Sequence, residues 1–363
     1  MNVKLNQIAS FSKGKQINGE ELLETGIYDY LNGGINPSGK WNEFNAEGNT
    51  IAISEGGNSC GYVNYMDSPF WCGAHCYYLF DIKCDVKYLY YALKSQQDRL
   101  MRIRTGACMP NIKKNDLGNF EFRFDDNVTL QKCIVYELDF IESLITARRE
   151  QLAKLDELVK SRFIELFGDP VKNSMGWLSR PLNDVCDGIG DGLHGTPEYD
   201  DNGDYPFING NNLIDGKIVI TPATKMVSEE TYTKHLIDIS SNAILISING
   251  TLGKLAFYNG ERVMLGKSAC YCNLKANINK AFVYGVMKSD AFAEFLDNSS
   301  TKSTIKNVGL KAMREYKLIL PPTELQEQFA SFVEQTDKSK FEIQKSLEKL
   351  ETLKKALMQK YFG

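Results

Sequence analysis

The 363-residue chain holds no apolar run near the ~18 to 20 residues that a membrane-crossing helix needs, which argues against a membrane role. It shows no signal peptide, and its nine cysteines follow no even-spaced framework. Several of them, Cys133, Cys270 and Cys272 included, sit in apolar runs, so they read as reduced thiols of a cytoplasmic protein. Histidine is confined to His75, His194 and His235, and no base and nucleophile pair stands out around them. The single Pro-Pro pair, Pro321-Pro322, is not part of the Asn/Asp-Pro-Pro-aromatic motif of amino-methyltransferases. Cys72, His75 and Cys76 lack a second pair at ligand spacing, so no metal site is expected. Gly266-Lys267-Ser268 lacks a phosphate loop's upstream glycine at the right distance, and Ala269 to Leu274 reads as strand where that loop needs a helix. Nor is there an excess of positive charge: 42 Lys and Arg face 46 Asp and Glu, a net charge of −4. A general polyanion binder is thereby excluded, and any nucleic-acid site must be local. The chain reads as non-catalytic, with no cofactor of its own.

What it does contain is one long helical pattern written twice. Leu130 to Gly168, laid without a gap on Leu325 to Gly363 at an offset of 195, gives nine identities, including Leu130/Leu325, Gln131/Gln326, Leu158/Leu353 and Phe167/Phe362. Ile134, Leu138, Ile141, Ile145, Leu152, Leu155, Val159 and Leu166 fall on steps of four and three, the spacing of a coiled-coil seam. Phe329, Val333, Ile343, Leu347, Leu350, Leu357 and Tyr361 keep that seam in the second copy, with Thr336, Lys340 and Lys354 as polar interruptions. Two such helices most simply bury their seams against each other. Their outer faces carry surplus apolar residues, Leu144, Leu158 and Phe163 in the first and Leu353 and Met358 in the second, which partner subunits would cover.

The segments before the helices repeat as well. Ile51-Ala52-Ile53-Ser54 returns as Ile244-Leu245-Ile246-Ser247, Cys76-Tyr77 as Cys270-Tyr271, and Lys94-Ser95 as Lys288-Ser289. The offset drifts from 177 to about 193 to 196, which places roughly sixteen extra residues of the second copy around Asp187 to Asp204. The expected fold class is α+β, two similar α/β globules separated by two long helices in a pseudo-two-fold repeat. The expected boundaries are 1–124 and 171–319 for the globules, 125–170 and 320–363 for the helices. Each globule carries an acid-free basic segment at a matched place, Arg99 to Lys114 and Lys302 to Arg314. Such a pseudo-dimer would read two different DNA half-sites at a fixed gap. Candidate DNA contacts are Arg102, Arg104, Lys113 and Lys114 in the first globule, and Lys254, Lys302 and Lys306 in the second. Asn111 and Asn307 coincide at the repeat offset, where base reading and a turn role are both open. His194 and Thr196 stand in a glycine-rich loop among acids, and either DNA contact or a turn fits them.

At this point the whole chain resembles the specificity subunits of type I restriction-modification systems. The resemblance rests on the two helices, the opening Leu320-Pro321-Pro322 with Gln326, the endings Leu166-Phe167-Gly168-Asp169-Pro170 and Tyr361-Phe362-Gly363, and the loop Asp191-Gly192-x-His194-Gly195-Thr196-Pro197. It implies two target-recognition domains reading a bipartite DNA sequence through the major groove, and an antiparallel coiled coil. It also implies partners: double-stranded DNA, two modification subunits that methylate adenine with S-adenosylmethionine, and restriction subunits that use ATP and Mg. The first half departs from the family pattern, having no Gly-Thr-Pro loop to match Gly195-Thr196-Pro197. The alternative from another class is a non-catalytic coiled-coil scaffold joining two interaction domains that do not bind DNA.

Overall fold

Asn127 starts the first long helix. Its Oδ1 accepts from the backbone N–H groups of Thr129 (3.0 Å) and Leu130 (3.2 Å). The helix then runs unbroken from Val128 to Phe167, and Gly168, at φ +74°, ends it. A second helix spans Thr323–Phe362, so its first and last residues both keep the 195 offset of the sequence repeat. Each has 40 residues, about 60 Å of helix. The computed structural model describes residues 1–106, 110–170 and 172–363; residues 107–109, inside the basic segment Arg99 to Lys114, lie outside the described residues.

Two compact units form, Met1–Glu150 with Gln344–Gly363, and Gln151–Ile343, so each contains one stretch of each long helix. The first unit has a four-stranded antiparallel sheet in the order Ser10–Lys13, Cys76–Phe80, Thr50–Ser54, Val63–Met66. Its three-stranded sheet runs Gly39–Trp41, Tyr28–Leu31, Phe70–Cys72, the last pairing parallel, and Asn2–Lys4 pairs with Glu121–Arg123. The second unit repeats all three. Its four-stranded order is Cys186–Asp191, Ala269–Leu274, Ala243–Ser247, Leu255–Phe257. Its three-stranded order is Met226–Val227, Tyr205–Ile208, Met264–Leu265, again with the last pairing parallel, and Leu178–Pro181 pairs with Lys317–Leu320. The strands Thr50–Ser54 and Ala243–Ser247 are buried along their whole length, which is why they read as unbroken apolar runs and not as alternating ones.

The extra residues of the second unit do not lie around Asp187 to Asp204. Tyr205–Ile208 still follows Tyr28–Leu31 by 177 positions, whereas Ala243–Ser247 follows Thr50–Ser54 by 193. The hairpin of Leu213–Ile214 with Lys217–Ile218 and the helix Glu229–Lys234 lie in that interval. The hairpin sits on the connection between two paired strands of one sheet, Tyr205–Ile208 and Met226–Val227, and the helix on the connection from that sheet to Ala243–Ser247; Tyr205 still faces Val227 as Tyr28 faces Trp41, so the register is undisturbed.

The long helices are antiparallel within each unit. In the first, Tyr361 Oη donates to Glu137 (2.6 Å), Lys354 pairs with Glu142 (2.5 Å) and Arg149 with Glu351 (2.7 Å), so numbers rise on one helix as they fall on the other. In the second, Lys340 pairs with Asp156 at 2.6 Å, and the Phe163 and Phe167 rings meet Phe329 with centroids 5.4 and 5.6 Å apart. The lysines that interrupt the apolar seam therefore reach carboxylates of the opposing helix. Ile134, Leu138, Ile141, Ile145, Phe329 and Leu347 are buried, and the other seam residues are half-buried.

Phe163 corrects an expectation. Placed on the outer face from the heptad pattern, it is only 5 % exposed and packs against Phe167, Phe282 and Phe329. The reason is a third element: the helix Lys280–Met287 lies over this side, and its Gly285 leaves the room, since a Cβ there would stand 2.7 Å from Phe163 Cδ2. Met358 and Leu144 are half-buried, Met358 against the core of the first unit, whereas Leu158 and Leu353 are 48 % and 47 % exposed.

Each globule is fastened to a long helix by the same buried amide. Gln131 is 1 % exposed; its Oε1 accepts from Asp85 N–H (3.2 Å) and its Nε2 donates to Asp125 O (2.6 Å). Gln326 is 2 % exposed; its Oε1 accepts from Asn279 N–H (3.0 Å) and its Nε2 donates to Pro321 O (2.9 Å). Asp85 and Asn279 are themselves the N-caps of the helices Val86–Ser95 and Lys280–Met287.

Candidate nucleic-acid interface

One end of each four-stranded sheet is closed by loops held together by the same backbone bonds. In the first unit Gly61 N–H donates to Ser54 O (2.8 Å), Gly57 to Pro110 O (3.0 Å), Ile112 to Glu55 O (2.8 Å) and Glu55 to His75 O (2.9 Å). In the second, Gly253 donates to Ser247 O (2.9 Å), Gly250 to Lys306 O (2.9 Å), Val308 to Ile248 O (2.8 Å) and Ile248 to Ser268 O (3.0 Å). Gly57 and Gly250 stand at φ +76° and +77°, a left-handed conformation that glycine adopts without cost. Thr105 and Asn111 exchange both backbone bonds (2.8 and 2.9 Å) and so close a loop; in the second unit Thr301 N–H donates to Asn307 O (3.0 Å) and Asn307 N–H to Thr301 Oγ1 (3.1 Å). The result is a two-loop platform, built twice: Ser54/Ser247, Gly57/Gly250, Gly61/Gly253, Thr105/Thr301 and Asn111/Asn307 are identical, whereas Glu55/Ile248, His75/Ser268 and Pro110/Lys306 differ.

The platforms carry the basic candidates in different ways. Arg102, Arg104, Asn111, Lys113 and Lys114 are all exposed in the first unit, with Lys114 Nζ 5.7 Å from the Phe11 ring. Beside them Glu55, 8 % exposed, is bonded to Lys13, and its Oε2 lies 3.8 Å from His75 Nδ1. In the second unit Lys302 is exposed, but Lys306 is paired with Asp297, so its charge is already offset. Lys254 is half-buried and joined to the platform through Ser247, whose Oγ accepts from its N–H at 2.8 Å. His194 Nε2 lies 2.7 Å from Asp191 Oδ2, with the imidazole 70 % exposed. The His194 loop is held to the sheet by Leu193 N–H on Leu265 O (2.8 Å) and Lys267 N–H on Leu193 O (3.0 Å). Thr196 is exposed, and no hydrogen bond among the described residues ties it to the platform.

Over residues 1–155 and 175–355 the chain matches the family model described as type I restriction modification DNA specificity domain. The chain belongs to that family. It is similar to a Mycoplasma genitalium protein named as a type I specificity subunit, S.MgeORF438P, with 37% identity over 157 residues, 42% of this chain and 40% of that protein. The match thus spans about two-fifths of this curated relative's length. The crystal structure of the type I restriction-modification S subunit from M. genitalium has the same fold, with a TM-score of 0.66 at 22% identity over 100% of this chain and 96% of that one. A chain from a structure on complex assembly and conformational transition of the type I R-M system gives 0.57 at 14% identity, over 99% and 97%.

Within this specificity-domain chain the structure adds platform residues that the sequence reading passed over. Thr105 and Thr301 share the 196 offset of Asn111 and Asn307 and are identical, so the signal was present. Asn249 and Lys267 gave none. Asn249 has glycine at its repeat match, and Lys267 stands in a segment that fails as a phosphate loop.

Proposed function

We propose that the chain is the DNA-specificity subunit of a type I restriction-modification complex, each unit reading one half of a two-part target with its platform. The observation that carries this reading is the platform itself: one backbone frame built twice, holding different side chains. A fixed frame sets register on the duplex, and the side chains that vary on it read different bases. Arg102, Arg104, Lys113, Lys114 and Lys302 are the phosphate contacts on this reading; Lys306 contributes less because Asp297 holds it. Exposed apolar residues on the long helices, Tyr136, Phe140 and Leu353 in the first unit and Leu158 and Phe341 in the second, would meet modification subunits. The methyl transfer and the cutting would belong to partners, which would hold S-adenosylmethionine, ATP and Mg; this chain supplies no catalytic group. The test is reconstitution. The purified chain alone should transfer no methyl group, and the chain with its modification subunit should methylate adenine at a split sequence; turnover by the chain alone would contradict the assignment. If reversing the charge of Arg102 and Arg104 leaves DNA affinity and its salt slope unchanged in the assembled complex, the scaffold reading gains instead.

A further inference from the structure

The two platforms differ most tellingly at one bridged position. Asn249 faces Asn307 across the loops in the second unit, and Gly56 faces Asn111 in the same antiparallel bridge of the first. The two asparagine amides are bonded to each other, Asn249 Nδ2 donating to Asn307 Oδ1 at 3.1 Å. That contact leaves Asn249 Oδ1 and Asn307 Nδ2 without a partner among the described residues. Both side chains are half-buried, so neither amide swings freely in solvent. The bonded pair therefore offers one acceptor and one donor at a single bridge, on amides already ordered by each other. Reversing both amides would exchange the two roles and still leave one of each. In the major groove, adenine alone among the bases shows one donor and one adjacent acceptor, N6–H and N7. Guanine shows two acceptors, cytosine one donor, and thymine one acceptor beside a methyl group.

Resting on the DNA-reading proposal above, we infer that Asn249 and Asn307 together are a specificity-determining pair for an A·T base pair in the half of the target met by the second unit. The first unit has no such pair. Among the described residues Asn111 Oδ1 there takes only the Thr105 hydroxyl, at 3.4 Å, and glycine stands opposite. The glycine is replaceable: its φ is not left-handed, and a Cβ on Gly56 would meet nothing nearer than Pro110 O at 3.6 Å.

The experiment uses the complex of the full chain with its modification subunit and a set of duplexes, each changed at one base pair of the target. Asn249→Gly should lower discrimination at a single A·T pair in one half by about tenfold or more, the worth of a good amide-to-adenine contact, and leave every other position as it was. Gly56→Asn should alter the preference at a single base pair in the other half, an effect that loss of folding cannot imitate and that stands even if Asn249→Gly fails to assemble. Unchanged discrimination in both variants, or a loss spread evenly over both halves, would overturn the assignment. A wild-type complex that methylates no split sequence would instead sink the specificity-subunit reading itself, which separates the two failures.

Discussion

At the residue scale, the buried amides of Gln131 and Gln326 show why two identities among many differences matter. Each satisfies one N–H and one C=O that would otherwise be lost inside the protein. Gln326→Leu keeps the volume and abandons both partners, so it should cost about 2 to 4 kcal/mol, read as a lower urea midpoint at unchanged slope. Lys94 gives a second test. Its Nζ donates to Val63 O at 2.8 Å and lies 3.6 Å from the Tyr62 ring centroid, and burial, with Lys354 adding, pushes it from the ordinary 10.5 down to about 8. Between those values the unfolded chain holds a proton that the folded chain has released, so stability rises with pH across the window. Burial holds Tyr90 up at about 12, so tyrosine ionisation favours the unfolded chain and opposes the rise from about pH 10. Burial likewise holds the thiols of Cys60, Cys84 and Cys272 above their ordinary range, so thiol ionisation in the unfolded chain opposes the rise from about pH 9. The Lys94 contribution is therefore read as a difference: the urea midpoint of the wild type should gain on that of Lys94→Met from about pH 8 to 9.5, and parallel profiles would show that Lys94 is solvated. The glutamines were legible as identities at one offset. Asn249 was not, because its partner lies 58 positions away on another loop and only the fold brings them together.

Among elements, the long helices were the most legible part. Their seam follows from a spacing of four and three, and the limits of the first from Asn127 and Gly168. The heptad pattern describes a helix against one neighbour, however, and Phe163 has two. Phe163→Ala should cost about 3 to 5 kcal/mol, since the ring fills a space bounded by Phe167, Phe282, Phe329 and Gly285. Leu158→Ala, on an exposed face, should stay within about 0.5 kcal/mol in the same denaturation experiment and weaken capture of the modification subunit instead. A Leu158→Ala chain as unstable as Phe163→Ala would contradict the division between core and docking faces. The Arg149–Glu351 pair is exposed, so Arg149→Ala should change stability little despite its 2.7 Å contact.

For the whole molecule, the repeat is what sequence and structure share. Strand signals such as Ile51 to Ser54 and Ala269 to Leu274 were readable because apolar runs bounded by glycine and asparagine are strand-like. The place of the extra residues was not, since it depends on which strands share a sheet. The platforms too emerge only when loops some 50 residues apart are brought to one sheet end. Family membership and the doubled platform lead to one central claim, that each unit reads its own half of a divided target. Co-expression of the chain with its modification subunit, followed by mapping of methylated adenines across a genome by single-molecule sequencing, tests it most directly. The expected result is one motif in two unlike parts at a fixed gap; methylation at a single unbroken motif, or none from a stable complex, would contradict it.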